Sequence, residues 1–170
     1  HVRSRRQRQM CIRDSDWAVK VGDEFVLEDD QRSASYNLKL TIARKLVLHK
    51  WYEGLGGELK AIVTGSAAIQ QRIVRVFLAA EIPIYEGYGL TEASPVIAVN
   101  CFRRGKKIGT VGPPLKGVEV KLADDGEILV KGDIVMMGYH NLPEKTAEEI
   151  RDGWLYTGDI GEWAVSYTHL

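Results

Sequence analysis

Two stretches of the chain repeat their hydrophobic residues at the spacing of an α-helix. The first runs from about Ser35 to Tyr52 and ends just before a cluster of glycines, a residue type that commonly stops helices. Pro83 lies after the second stretch and separates it from the residues that follow. In this second stretch polar residues stand between the hydrophobic positions, which predicts an amphipathic helix carrying Ile69, Ile73, Val76, Phe77 and Ala80.

Short hydrophobic runs lie on either side of the second predicted helix. Leu59 to Thr64 come before it and Ile84 to Glu86 come after it, and the first run reads as a buried strand. The order strand, helix, strand predicts a β-α-β unit with a parallel sheet. The loops after the two strands, Ser66 to Ala68 and Tyr88 to Glu92, should then reach one sheet edge, where open α/β folds usually bind ligands.

The second half of the chain changes to short alternating segments. Val118 to Leu122 and Glu127 to Val130 flank the turn sequence at 124–126, which predicts a β-hairpin. A short helix is expected from Pro143 to Ile150, with proline in its first turn. Met136 and Met137 are expected to pack in the core. The predicted fold class is therefore α/β, with a parallel β-α-β sheet portion followed by a β-rich hairpin portion.

Composition narrows the class of protein. The chain has 170 residues, 45% hydrophobic and 27% charged, as expected for one globular unit with a core. Cys11 and Cys101 are the only cysteines, which argues against a disulfide framework or a cysteine-based metal site. The sequence has no apolar run that could cross a bilayer and no signal-peptide pattern, so we expect a cytoplasmic location.

Both ends of the chain look foreign to the rest. Residues 1–15 contain five arginines without apolar periodicity, and the pattern changes abruptly after Trp163. We expect non-native tails at 1–15 and 164–170 and a partial domain at 16–163. The alternative is a genuine basic patch for nucleic acid or an anionic membrane. Without the first tail the chain is mildly acidic, which gives no reason to expect nucleic acid.

The segment Tyr88 to Glu92 has residue types suited to a nucleotide and its metal ion. Glu92 offers the hard anionic oxygen that Mg²⁺ prefers, and Thr91 can donate a hydrogen bond to a phosphate oxygen. Alone, the segment could equally be a strand-to-helix turn with a threonine cap. Asp159, downstream in a segment with a flexible glycine, could accept hydrogen bonds from both ribose hydroxyls. Together the three side chains would cover phosphate, metal and sugar.

At this point the sequence resembles the AMP-forming acyl-CoA synthetases of the adenylate-forming superfamily, and most closely the long-chain fatty acid–CoA ligases. The resemblance extends from about Leu38 to Trp163. Five ordered blocks carry it: Leu59 to Ala68, Glu86 to Glu92, Gly109 to Pro114, Gly138-Tyr139 and Tyr156 to Asp159.

The resemblance implies a role for each site residue. Thr91 would contact the α-phosphate, Glu92 would bind Mg²⁺, and Asp159 would bind the ribose hydroxyls; Thr91 and Glu92 would be the catalytic pair. Tyr88 would stack on the adenine, and glycines such as Gly89 let the backbone approach the nucleotide. The residues implied to pack around the adenine are Gly65, Ser66, Ala67, Ala68, Glu86, Gly87 and Tyr88.

The implied reaction uses a fatty acid, ATP and coenzyme A. The carboxylate would attack ATP to give acyl-AMP, and the thiol of coenzyme A would then displace AMP. The family's phosphate loop with its lysine is absent, as are the hinge and the lysine-bearing C-terminal domain, so we expect an internal fragment that is inactive alone. The full-length protein could still associate peripherally with a membrane.

Two alternatives to this function stay open. The first is a fatty-acyl-AMP ligase, or an adenylation domain that loads a carrier protein. The second is a non-catalytic nucleotide-binding module, although such a module need not keep Thr91, Glu92 and Asp159.

Overall fold

The computed structural model describes residues 5–101 and 107–164 and divides into two compact units. The first unit contains the described residues up to Thr64, together with Ala68–Tyr85 and Lys107–Gly109. The second unit contains Gly65–Ala67 and the described residues from Glu86 to 101 and from Thr110 onward. Of the predicted tails at 1–15 and 164–170, residues 1–4 and 165–170 lie outside the described residues.

The first unit is mainly helical. Its helices are α1 (Arg5–Asp23), α2 (Ala34–Ala43), α3 (His49–Gly54) and α4 (Gln71–Ala79). A five-residue π-helix at Arg44–Leu48 joins α2 to α3, so the first predicted helix is present as three consecutive pieces. Helix α1 continues without a break past Ser15, and the native or foreign origin of the residues before that point stays a prediction.

Helices α1, α2 and α4 share one hydrophobic core. Ala18, Leu40, Leu48 and Val74 are all buried in it. Polar contacts of partly buried side chains reinforce this packing: the Tyr36 hydroxyl donates to the Val21 carbonyl at 2.8 Å, and Arg44 Nε donates to the Ala79 carbonyl at 2.7 Å. The second predicted helix is present as α4, but its predicted buried face was wrong in part: Ile73 is 41% exposed, whereas Val74 and Leu78 are buried. Helix α1 packs on the face that carries Val76, where Gly22 approaches it closely.

A three-stranded sheet has the order β1 (Ile62–Thr64), β2 (Ile84–Tyr88) and β3 (Ala98–Val99). Strands β1 and β2 are neighbours on either side of α4 in sequence, which confirms the predicted β-α-β order. Strand β3 pairs antiparallel with β2, with Gly87 opposite Val99. The expectation of a buried strand from Leu59 to Thr64 was wrong: β1 is shorter and none of its residues is buried. Ile62 packs partly against the first core, and alternation turns Val63 to the opposite face, where it is 70% exposed.

The second unit also contains a four-stranded antiparallel sheet. Its order is β4 (Glu119–Leu122), β5 (Glu127–Lys131), β7 (Trp154–Ile160) and β6 (Ile150–Arg151). Strands β4 and β5 form the predicted hairpin, with Val120 opposite Val130. Val130 and Leu155 pack with Ala93 and Ile97 in a core of fully buried side chains. This core joins β5 and β7 to the segment after β2.

The remaining elements agree less uniformly with expectation. Helix α5 spans Pro143–Glu149, as predicted to within a residue. Met137 was expected in the core and is fully exposed, so that prediction was wrong. It belongs to the irregular segment between β5 and α5, where no regular alternation directs side chains inward. Of the helices in the described part of the chain, none is both long enough and apolar enough to cross a bilayer.

We predict that Leu155→Ala lowers the free energy of unfolding by about 2–5 kcal/mol, because it removes a fully buried side chain and leaves a cavity. Leu142→Ala is the matched control, since Leu142 lies in the same unit and is 52% exposed. We expect the control to change stability by less than about 0.5 kcal/mol. Urea-induced unfolding measures both, and equal losses would contradict the assigned core.

Candidate functional site

The loop after β2 carries Thr91 and Glu92 in a tight turn. Residues Thr91–Ala93 form one turn of 3-10 helix, closed by a hydrogen bond of 2.9 Å from the Ala93 amide to the Leu90 carbonyl. Ala93 is completely buried, Glu92 is half-buried and Thr91 is exposed. The buried alanine therefore anchors the turn, while the two polar side chains before it stay accessible to a ligand.

Gly89 lets the chain enter this loop. A Cβ atom at this position would overlap the Pro95 carbonyl group. The close approach follows from the pairing of β2 with the returning chain, in which the Ile97 amide donates to the Tyr88 carbonyl at 2.8 Å. Steric exclusion thus accounts for glycine at position 89.

Glu92 is held by the segment just before α5. The Tyr139 hydroxyl donates to Glu92 Oε1 at 2.9 Å, and the Met136 amide donates to the Glu92 carbonyl at 2.8 Å. The hydrogen bond to Glu92 is the main reason that the pKa of Tyr139 is raised. Sequence reasoning gave Tyr139 no role, although it recognised the Gly138-Tyr139 block.

The side chain of Asp159 is held by Tyr88. The Tyr88 hydroxyl donates to Asp159 Oδ2 at 2.7 Å. Burial raises the pKa of Tyr88 to about 12; the hydrogen bond with Thr157 acts in the opposite direction, and the bond with Asp159 adds to the rise. Tyr88 and Asp159, predicted for the base and the sugar, are thus in direct contact within the second unit.

The backbone around Asp159 is fixed by three further hydrogen bonds. The Thr157 hydroxyl donates to the Ile128 carbonyl on β5 at 2.8 Å and accepts from the Asp159 amide at 3.2 Å. The Gly158 amide donates to Glu127 Oε1 at 2.8 Å. Gly158 has a φ of 71°, a conformation that glycine adopts readily. Together these contacts turn the exposed Asp159 carboxylate toward Tyr88.

The residues predicted to surround the adenine are only partly brought together. Gly65 lies close to β2, because a Cβ atom on it would be 3.5 Å from the Gly87 carbonyl oxygen. Ser66 follows with a φ of 65°, so the chain turns sharply there. Gly65–Ala67 belong to the second unit with Glu86, Gly87 and Tyr88, whereas Ala68 belongs to the first.

The oxygen atoms of the Glu92 carboxylate suit one kind of metal ion. Among residues 5–101 and 107–164, no group of three or more histidine, cysteine, aspartate or glutamate side chains could hold a metal by itself. Glu92 nevertheless offers a carboxylate in a half-buried setting. Mg²⁺ commonly takes one or two carboxylates and completes its shell with substrate phosphates and water. Glu92 therefore fits a magnesium ion that arrives with a nucleotide.

A family model described as "AMP-binding enzyme" matches residues 26–140, which is more than half of the chain. The chain belongs to this family. It is 42% identical over 123 residues to the long-chain-fatty-acid–CoA ligase FadD15 of Mycobacterium bovis, a match that covers 72% of this chain and 20% of that protein. The chain thus spans only about a fifth to a quarter of the length of the curated relatives that it matches.

Solved structures of AMP-binding enzymes share the fold. The N-terminal domain of FACL13 from Mycobacterium tuberculosis aligns with a TM-score of 0.55 at 28% identity, over 72% of this chain and 33% of that one. The O-succinylbenzoate coenzyme A synthetase of Bacillus subtilis, in complex with ATP and a magnesium ion, aligns with a TM-score of 0.54 at 27% identity. That match covers 66% of this chain and 27% of the other.

We predict that Gly89→Ala destabilises the second unit by about 1–3 kcal/mol, because the new methyl group forces the loop away from Pro95. Gly54→Ala is the control, since a Cβ atom at Gly54 would meet nothing within 4 Å. We expect the control to be neutral or slightly stabilising in urea-induced unfolding. A Gly89→Ala protein as stable as the control would contradict the loop geometry.

Tyr88 should also make stability depend on pH. The unfolded tyrosine ionises near its ordinary pKa of 10.0, whereas the folded one ionises at about 12. The raised pKa therefore contributes stability that is complete below about pH 10 and is lost as the pH rises to about 12. We expect Tyr88→Phe to lose less free energy of unfolding than the wild type between about pH 10 and about pH 12. Identical losses in urea titrations would contradict this prediction.

Proposed function

We propose that this chain forms the nucleotide-binding part of an AMP-forming long-chain fatty acid–CoA ligase. One observation carries the proposal: in a member of the AMP-binding family, the two carboxylates suited to metal and ribose are each held by a tyrosine hydroxyl. The similarity to FadD15 supports a long-chain fatty acid as the substrate.

The proposed first half-reaction joins the fatty acid to AMP. A carboxylate oxygen of the fatty acid attacks the α-phosphorus of ATP; a new P–O bond forms, the bond to the β-phosphate oxygen breaks, and pyrophosphate leaves. Thr91 would donate a hydrogen bond to an α-phosphate oxygen, and Glu92 would hold Mg²⁺. When bound, Mg²⁺ would neutralise charge on the phosphate oxygens. The protein's contribution is alignment and electrostatic stabilisation.

Asp159 would bind the ribose, and Tyr88 would contact both Asp159 and the adenine. Asp159 is exposed, and its Oδ2 accepts the Tyr88 hydroxyl, so the carboxylate is oriented before a sugar arrives. The same hydrogen bond fixes the orientation of the Tyr88 ring, and the base would stack on the face of this ring. Five residues would line the sides of the adenine: Gly65, Ser66, Ala67, Glu86 and Gly87.

The proposed second half-reaction transfers the acyl group to coenzyme A. The thiolate sulfur attacks the carbonyl carbon of the acyl-AMP, a thioester forms, and AMP leaves. We assign no residue of this chain to coenzyme A. We expect catalysis only in a full-length protein that contains this chain, because the phosphate-binding lysine loop and the C-terminal lysine of such enzymes are absent from this sequence.

The chemistry can be tested by following an oxygen atom. A fatty acid labelled with heavy oxygen in its carboxylate is incubated with the full-length protein, ATP, Mg²⁺ and coenzyme A, and the AMP is analysed by mass spectrometry. We expect one labelled oxygen in each AMP, because the carboxylate oxygen that attacks phosphorus stays with AMP when the thioester forms. Label-free AMP, or release of ADP, would contradict the proposal.

Substitutions test the proposed residues. We expect Asp159→Asn to raise the KM for ATP about 10- to 100-fold, since a hydrogen bond to a charged group contributes about 1.5–3 kcal/mol. We expect Glu92→Gln to lower kcat by about 100-fold or more, because it weakens charge stabilisation in the transition state. Asp124→Asn, in the exposed turn between β4 and β5, is the matched control and should leave both constants unchanged. Equal effects of Asp124→Asn and Asp159→Asn would contradict the assignment.

A further inference from the structure

We infer that Tyr139 is a positioning residue that holds the carboxylate of Glu92 in the orientation needed to bind a divalent cation. The inference rests on the proposed function and deepens it, because it adds a residue that acts on the metal ligand without touching the metal. The evidence for it is that the segment from Met136 to Tyr139 contacts both Glu92 and helix α5.

This segment holds Glu92 at two points. The Met136 amide fixes the backbone of Glu92 at 2.8 Å, and the Tyr139 hydroxyl fixes its side chain at 2.9 Å. A glutamate side chain has three rotatable bonds, and fixing both of its ends removes most of this freedom. The two contacts also come from outside the turn itself, since Tyr139 lies 47 residues from Glu92 in the sequence.

Tyr139 is itself held in place by α5. Its amide donates to Thr146 Oγ1 at 2.9 Å, and the Thr146 hydroxyl donates to the Leu142 carbonyl at 2.9 Å. The ammonium group of Lys145 lies 4.6 Å from the centroid of the Tyr139 ring, a cation–π contact. A Cβ atom on Gly138 would come within 2.6 Å of the Thr146 side chain, so glycine permits this close packing.

The chemistry of the contact matches its proposed role. A tyrosine hydroxyl donates one hydrogen bond to one carboxylate oxygen and leaves the charge of the carboxylate in place. With Oε1 engaged by Tyr139, Oε2 can face a cation. Ligating carboxylates are commonly hydrogen-bonded in this way, and loss of such a partner costs 10- to 100-fold in metal affinity or activity. Tyr139 meets this description in both geometry and donor type.

The test uses Tyr139→Phe in the full-length protein, because phenylalanine keeps the ring and its contact with Lys145 but removes the hydroxyl. We measure the binding of Mg²⁺ with ATP by isothermal titration calorimetry, where we expect the apparent affinity for Mg²⁺ to fall about tenfold. We also measure pyrophosphate release as a function of Mg²⁺ at saturating ATP and fatty acid. We expect the Mg²⁺ concentration for half-maximal rate to rise about tenfold, with the KM for fatty acid unchanged. Tyr52→Phe, which removes a hydroxyl in the first unit, is the matched control and should not shift the Mg²⁺ curve.

A double-mutant comparison separates positioning from general destabilisation. If Tyr139 acts through Glu92, Tyr139→Phe should have almost no further effect on the Mg²⁺ curve in a Glu92→Ala background. Thr146→Val, which removes the acceptor of the Tyr139 amide, should shift the curve in the same direction by a smaller factor. Thermal unfolding of each variant establishes that it is folded, and Thr146→Val provides the result if Tyr139→Phe is not.

The outcomes distinguish the inference from the proposed function. A wild-type protein that releases pyrophosphate without need of Mg²⁺ would overturn both. A Mg²⁺-dependent wild type whose curve shifts with Glu92→Gln but not with Tyr139→Phe would overturn the inference alone. An equal effect of Tyr139→Phe with and without Glu92 would also overturn it, because the tyrosine would then act by another route.

Discussion

Two carboxylates of this chain are each held by a tyrosine hydroxyl, a neutral donor that fixes the position of a carboxylate without pairing it with a cation. Tyr88 donates to Asp159 and Tyr139 donates to Glu92, at 2.7 and 2.9 Å. A neutral donor orients a carboxylate but does not neutralise it as an arginine or lysine would. Neither tyrosine balances the negative charge of its carboxylate, so under the proposed function both side chains can act on a sugar hydroxyl or a metal ion.

The strands of the second unit make the two contacts possible. Strand β2 delivers Tyr88 and, four residues later, Glu92, while the returning chain closes over Gly89. Strand β7 carries Asp159 and is paired to β5, whose Ile128 carbonyl fixes Thr157. Buried Ala93, Val130 and Leu155 join these segments in one core. The hydrophobic core therefore helps to keep each tyrosine beside its carboxylate, since a displaced core would separate the two side chains.

Much of this fold could be predicted from local patterns, and the exceptions have physical causes. The β4–β5 hairpin and the position of α4 were predictable because alternation and helical spacing are local signals, although the exposure of Ile73 depends on how α4 packs. The π-helix after α2 was not, since its hydrophobic spacing hardly differs from that of an α-helix. The role of Tyr139 was also hidden, because its partner lies 47 residues away. The exposure of Met137 depends on an irregular segment that no periodicity describes.

The most direct test of the account is a crystal structure of a full-length protein containing this chain, with ATP and Mg²⁺ bound. The account predicts that Glu92 binds the metal through one oxygen while Tyr139 keeps the other, and that Asp159 accepts the ribose hydroxyls beside Tyr88. A nucleotide bound with its ribose away from Asp159, or a magnesium ion without Glu92 among its ligands, would contradict it.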